Sequence, residues 1–146
     1  MEIEDNIRAP GHLWFVAIIS LFWNAFGAFD YVMTKTANPT WLAKFTAEQI
    51  AYFKDFPTVM TIFWALGVWG ALIGSLLLLT RSRFAVTAFG LSLLGLLGST
   101  IWQFGFMTMP DSLKTGGMMM MNLIIWAVAI GLFLYSRNLL QQRVLH

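Results

Sequence analysis

Four long apolar runs take up most of this 146-residue chain, with only short polar pieces between them. They cover roughly residues 13–33, 58–79, 84–107 and 118–135. A water-soluble chain of this length could not hide four such segments, because too little sequence is left to cover them. Each run is close to the roughly 20 residues that cross a hydrocarbon core of about 30 Å. The pattern predicts an all-α membrane protein: one four-transmembrane-helix bundle, a single domain over residues 1–146.

Composition narrows the function classes. The chain is 58% hydrophobic and 11% charged, against about 25% charged in ordinary soluble domains, so no separate soluble domain is expected. The net charge of +2 is small and scattered, which predicts no nucleic-acid partner. There is no cysteine, and thiolate metal sites, iron–sulfur clusters and disulfides are excluded. His12 and His146 are the two histidines and stand far apart in sequence. No span holds a histidine pair, a Schiff-base lysine or two carboxylates for acid–base work. The expectation is a non-enzyme without cofactor or metal. The Met118–Met121 run fits flexible packing better than soft-metal binding. The chain starts on an acidic stretch where a signal peptide carries a basic one, so the first run is expected to be a retained helix. Ala25-Phe26-Gly27 resembles a cleavage site only loosely.

The connections are informative. Asn38-Pro39 marks a turn. A short amphipathic interfacial helix is predicted over about 40–55, between the first two spans. Its core begins with Thr46 as N-cap, Gln49 completing a capping box, and Phe45 with Ile50 as a hydrophobic staple. Leu42, Phe45, Ile50, Phe53 and Phe56 form its apolar side. Pro57 suits the first turn of the second span. Arg81-Ser82-Arg83 is too short for anything but an antiparallel return, and Asp111 to Gly117 is a flexible turn.

Charge sorts the ends. With both termini in the cytoplasm, Arg8, Arg81, Arg83, Arg137 and Arg143 all fall inside, and Lys35, Lys44, Lys54 and Lys114 all fall outside. Arg81, Arg83 and Arg137 abut span ends, where the positive-inside bias is strongest. A faint repeat also shows. Trp23-Asn24-x-x-Gly27 is echoed by Trp102-Gln103-x-Gly105, and Trp69-x-x-x-Ile73-Gly74 by Trp126-x-x-x-Ile130-Gly131. Duplication of a helical hairpin and chance within a restricted alphabet both account for it.

The polar residues inside the spans are the candidate site. Ser20, Asn24, Gly27 and Tyr31 share one face of the first run by their spacing, with Asp30 beside it. Ser92, Gly95, Ser99 and Gln103 share a face of the third run, and Asn122 lies early in the fourth. Asn24, Asp30, Gln103 and Asn122 all fall in the outer half, with Tyr31, Trp64 and Trp102 at similar depth. Amides can hydrogen-bond a neutral polar ligand and tryptophan faces can stack on it. Asp30 is the one carboxylate available there to pair with a cation or proton; in the plainer reading it sits at the water interface near Lys35. The plainer reading is interhelical hydrogen bonding, with the tryptophans as interface anchors. Gly67, Gly70, Gly74 and Gly95 let backbones approach, within the bundle or at a subunit interface.

With Trp23-Asn24-x-x-Gly27-x-x-Asp30-Tyr31 and Ala65-Leu66-Gly67-Val68-Trp69-Gly70 in view, the chain resembles a group of small, uncharacterised bacterial four-helix inner-membrane proteins. Some of these carry sugar-transporter labels, and the architecture is loosely similar to DoxX-like proteins. The resemblance implies a multi-pass protein of the bacterial inner (plasma) membrane and assigns no chemistry. Two functions are expected from the sequence. One is a structural or accessory subunit of a membrane assembly, bound to the lipid bilayer and to a protein partner or in a homo-oligomer. The alternative is a small transporter or binding protein for a neutral polar solute, using the outer polar and aromatic cluster.

Overall fold

The computed structural model describes residues 8–146; the acidic start, residues 1–7, lies outside the described residues. All regular structure among them is helical. The elements are α1 (Gly11–Lys35), α2 (Pro39–Leu42), α3 (Ala47–Lys54), α4 (Thr58–Leu79), α5 (Phe84–Gly105), a single 3₁₀ turn (Asp111–Leu113) and α6 (Gly116–Gln141). Helices α1, α4, α5 and α6 correspond to the four apolar runs, and each is long and apolar enough to cross a membrane. Their outward faces are apolar: Phe22 is 74% exposed and Leu123 65%.

Three of these helices end alike. After α1, α4 and α6 the chain turns through a residue with positive φ, namely Ala37 (53°), Arg81 (57°) and Arg143 (60°). In each case the next two amides return to the last turn, as Arg81 N does to Leu78 O at 3.0 Å and Ser82 N to Leu77 O at 2.8 Å. This is the Schellman arrangement, built here without glycine.

Several expected boundaries are corrected. Helix α6 runs six residues past Tyr135, because Ser136 and Leu139 are buried and keep its face against the bundle. The 40–55 segment is two helices, not one. Asn38 Oδ1 accepts from Trp41 N and caps α2 with Pro39 in its first turn. Thr46 then caps α3 separately, with the reciprocal Gln49 bond of a capping box. A cap residue has non-helical backbone, so Thr46 necessarily breaks the helix. Pro57 precedes α4 as its N-cap, and α5 stops at Gly105, two residues short of the expected end.

Packing differs between the two ends of the bundle. Helices α4 and α5 make the closest approach, α1 packs on α4, and α6 meets α5 along a thinner seam. The two sequence-similar hairpins therefore do not pack alike. At the end that holds the arginines, Leu13, Ala17, Leu78, Ala85, Phe89, Leu132 and Leu139 form one core. The C-terminal residues Val144 and Leu145 complete it. That tail is tied to the α4–α5 turn by His146 N to Arg81 O (3.0 Å), Arg83 N to His146 O (3.3 Å) and Arg81 Nε to Val144 O (3.1 Å). On the same side His12 Nδ1 meets Tyr135 Oη at 2.6 Å and joins α1 to α6. The opposite end, where the 36–57 linker and the 106–115 turn lie, is not filled in this way.

Candidate functional site

The glycines explain why α4 and α5 meet so closely. A Cβ at Gly95 would run into the Gly67 backbone and reach 2.5 Å from Phe63 O. One at Gly70 would lie 3.2 Å from Ala88 O and from Ser92 N, and one at Gly74 2.7 Å from the Phe89 ring. A Cβ at Gly67 would be 3.3 Å from Leu96 N. Ser92 Oγ donates to Gly67 O at 2.6 Å across the same seam. All four predicted glycines thus act inside the bundle.

One polar layer crosses from α1 to α4. Asn24 Nδ2 donates to Ala71 O (3.1 Å) and to Ser75 Oγ (2.8 Å). Ser20 Oγ stands 3.0 Å from Ser75 Oγ and donates its own hydrogen to Ala17 O. A hydroxyl has one hydrogen to give, so Ser75 donates to Ser20 and the layer has one direction: Asn24, Ser75, Ser20, Ala17. Because Ala71 O can only accept, the Asn24 amide nitrogen must face α4. Its Oδ1 then points away and accepts no hydrogen bond from the described residues.

Beyond this layer the bundle is hollow. A cavity of about 470 Å³ opens between all four long helices, within the usual size range of small-molecule sites. Phe89 and Leu132 lie at its arginine-side end. Trp23, Asn24, Gly27 and Asp30 line it from α1, Trp64 and Ala71 from α4, Ser99, Thr100 and Gln103 from α5, and Asn122, Val128 and Ala129 from α6. Most of this wall is apolar. Gln103, Asn122 and Thr100 have no hydrogen-bond partner among the described residues, so their polar groups are free for a guest.

The linker covers part of the opening. A second cavity of about 210 Å³ shares Asp30, Trp64, Ser99 and Gln103 with the first and is bounded by Phe45, Phe53 and Phe56. Phe56 packs edge-on against Trp64 with centroids 5.7 Å apart. Trp41 fixes α2 to α1: its Nε1 donates to Asp30 Oδ1 at 3.0 Å, and its ring meets Phe29 edge-on at 5.1 Å. Tyr52 is buried with its hydroxyl unpartnered, and burial raises its pKa above the usual value of 10.0.

Five of the seven candidate residues, Asn24, Asp30, Trp64, Gln103 and Asn122, come together on this one cavity. Two do not. Tyr31 is next to Asp30 and so about 100° around α1; its ring packs edge-on against Trp64 (4.7 Å) and Trp69 (6.2 Å) and supports the wall from behind. Trp102 is rotated likewise from Gln103, and its ring lies against Phe106 at 5.0 Å. Lys35 is not Asp30's partner: its Nζ reaches Thr61 Oγ1 at 3.4 Å. Residues that sequence reasoning passed over include Thr100 and the apolar wall of α6. Ser75 is another, although it is the one hydroxyl in its span between Thr61 and Thr80, which is a usable signal. Comparison of the chain with protein-family models, with curated proteins and with solved structures gives no match.

Proposed function

We propose that this chain is a multi-pass membrane protein that binds a small molecule in the half of the bundle remote from its arginines. The observation that carries the reading is the 470 Å³ cavity, mostly apolar, with unpartnered amides at Gln103 and Asn122. A mostly apolar pocket with a few convergent polar groups is the usual form of a small-molecule site. Bilayer insertion is supported by four apolar helices whose large side chains face outward. The charge sorting supports an orientation with Arg81, Arg83 and both termini in the cytoplasm. The cavity then opens toward the outer face. The resemblance to small bacterial inner-membrane proteins supports an inner-membrane location.

The packed arginine end supports binding from one side. A transport cycle would have to open the Asn24–Ser75–Ser20 layer and the core beneath it. The accessory-subunit reading takes second place, because the glycine face that would have docked a partner is occupied between α4 and α5. Docking to a partner or a second copy would use the outward apolar faces instead.

Gly27 gives a clean test. A Cβ built there meets nothing within 4 Å, and the residue lines the cavity. Gly27→Leu should fold and narrow the site. Native mass measurement of the protein extracted in mild detergent should show a small molecule on the parent chain and none on Gly27→Leu. Equal occupancy of the two would refute the cavity as the site.

A further inference from the structure

The charge balance around this cavity is one-sided. Among the described residues, Asp30 is the single charged one lining either cavity. One of its oxygens accepts from Trp41 Nε1 at 3.0 Å and from Thr34 Oγ1 at 3.5 Å. These are neutral donors. The ion pair seen among the described residues is Lys114 with Asp111, at 3.7 Å, and the Asp30 carboxylate has no cationic nitrogen within 4.0 Å. Lys35 is turned to Thr61. Lys44 sits on the face of Trp41, its Nζ 3.2 Å from the ring centroid. A carboxylate in such a place, at the edge of an apolar cavity, attracts a positive guest more strongly than it would in water.

The walls point the same way. Trp23, Phe26, Trp64 and Phe89 contribute to the cavity lining, and aromatic faces attract cations through their negative quadrupole. An inorganic ion does not fit this setting. Calcium or magnesium takes six or more oxygen ligands, and the described residues hold no group of three or more metal-ligating side chains. A bulky organic cation spreads its charge over methyl or methylene groups, is weakly hydrated, and loses little on entering an apolar space. From this we infer that the guest is a small lipophilic organic cation, a tertiary or quaternary amine in class, with Asp30 as its counter-ion and Trp64 as a stacking wall. The inference rests on the cavity being a binding site, and it replaces the neutral solute expected from sequence.

An isosteric pair of probes separates charge from shape. Benzyltrimethylammonium and neopentylbenzene differ only by nitrogen against carbon at the branched centre. Each is equilibrated with the full chain in zwitterionic lipid nanodiscs, against empty nanodiscs. The cation should be held at least about ten-fold more tightly than its neutral isostere. Asp30→Asn keeps an acceptor for Trp41 Nε1 and should bring the two probes to parity, whereas Asp30→Glu should keep the preference. Trp64→Leu, which leaves the carboxylate in place, should weaken the cation more than the isostere. Equal binding of the two probes by the parent chain would overturn the inference and leave the site standing. Binding of neither would overturn both. A cation preference that survives Asp30→Asn would overturn the role given to Asp30.

Discussion

Asn24 Nδ2 donates to Ser75 Oγ across 2.8 Å, and this contact marks the level at which the bundle changes from solid to hollow. On one side of it lies a continuous apolar core closed by Val144 and Leu145. On the other lies the cavity. Ser75 has no solvent exposure at all, so its hydroxyl depends wholly on Asn24 and Ser20. Ser75→Ala should leave both neighbours short of one bond and cost about 1–2 kcal/mol. Reversible unfolding of the purified protein in mixed detergent micelles checks this.

The α4–α5 seam gives a prediction with a built-in control. Gly95→Ala drives a methyl into the Gly67 backbone, which cannot move aside like a side chain. It should destabilise by about 3 kcal/mol. Gly131 sits in a helix interior with nothing within 4 Å of an added Cβ. Gly131→Ala should be neutral or stabilise by up to about 1 kcal/mol. Equal effects of the two in the same unfolding assay would contradict the packing described here.

The Schellman turn after α1 holds Ala37 at a φ of 53°, a conformation that costs an L-residue roughly 1 kcal/mol. Ala37 is exposed and makes no side-chain bond. Ala37→Gly should therefore stabilise only slightly, by up to about 0.5 kcal/mol once the roughly 0.5–1 kcal/mol of extra freedom of glycine in the unfolded chain is subtracted. Thermal unfolding in detergent would show it as a higher midpoint.

Tyr52 sets an alkaline limit. Its buried hydroxyl has no partner, and burial raises its pKa. As pH climbs through 10.0 the unfolded chain loses this proton first, which favours unfolding. Stability is thus intact below about pH 10 and falls above it. Tyr52→Phe should be no less stable at pH 7 and should lose part of that alkaline decline. A decline identical to the parent's would show that Tyr52 does not contribute.

Much of this was legible in the sequence because period and composition carry it. The run at 58–79 matches α4 residue for residue, since Pro57 and Thr80 bound an unbroken apolar stretch. The Thr46 capping box formed as read. Asn24, Asp30, Gln103 and Asn122 met on one cavity because polar groups in apolar helices turn inward. Helical spacing alone could not place Tyr31 or Trp102. A one-residue step turns a side chain about 100°, and the choice of neighbour depends on how the helices pack. The length of α6 was hidden for a similar reason: Leu139, Val144 and Leu145 look like a weakly amphipathic tail until the α4–α5 turn supplies the surface they cover.

We propose a cavity that opens away from the arginine end, toward the outer face of the membrane. The chain has no cysteine, so single cysteines report without background. Asn122→Cys and Gly27→Cys line the cavity, and Ser20→Cys lies in the buried layer below it. A membrane-impermeant cationic thiol reagent is added to intact cells. Asn122→Cys and Gly27→Cys should be labelled and Ser20→Cys should not. Labelling of the first two only from the cytoplasmic side, in inverted vesicles, or from neither side, would contradict the account.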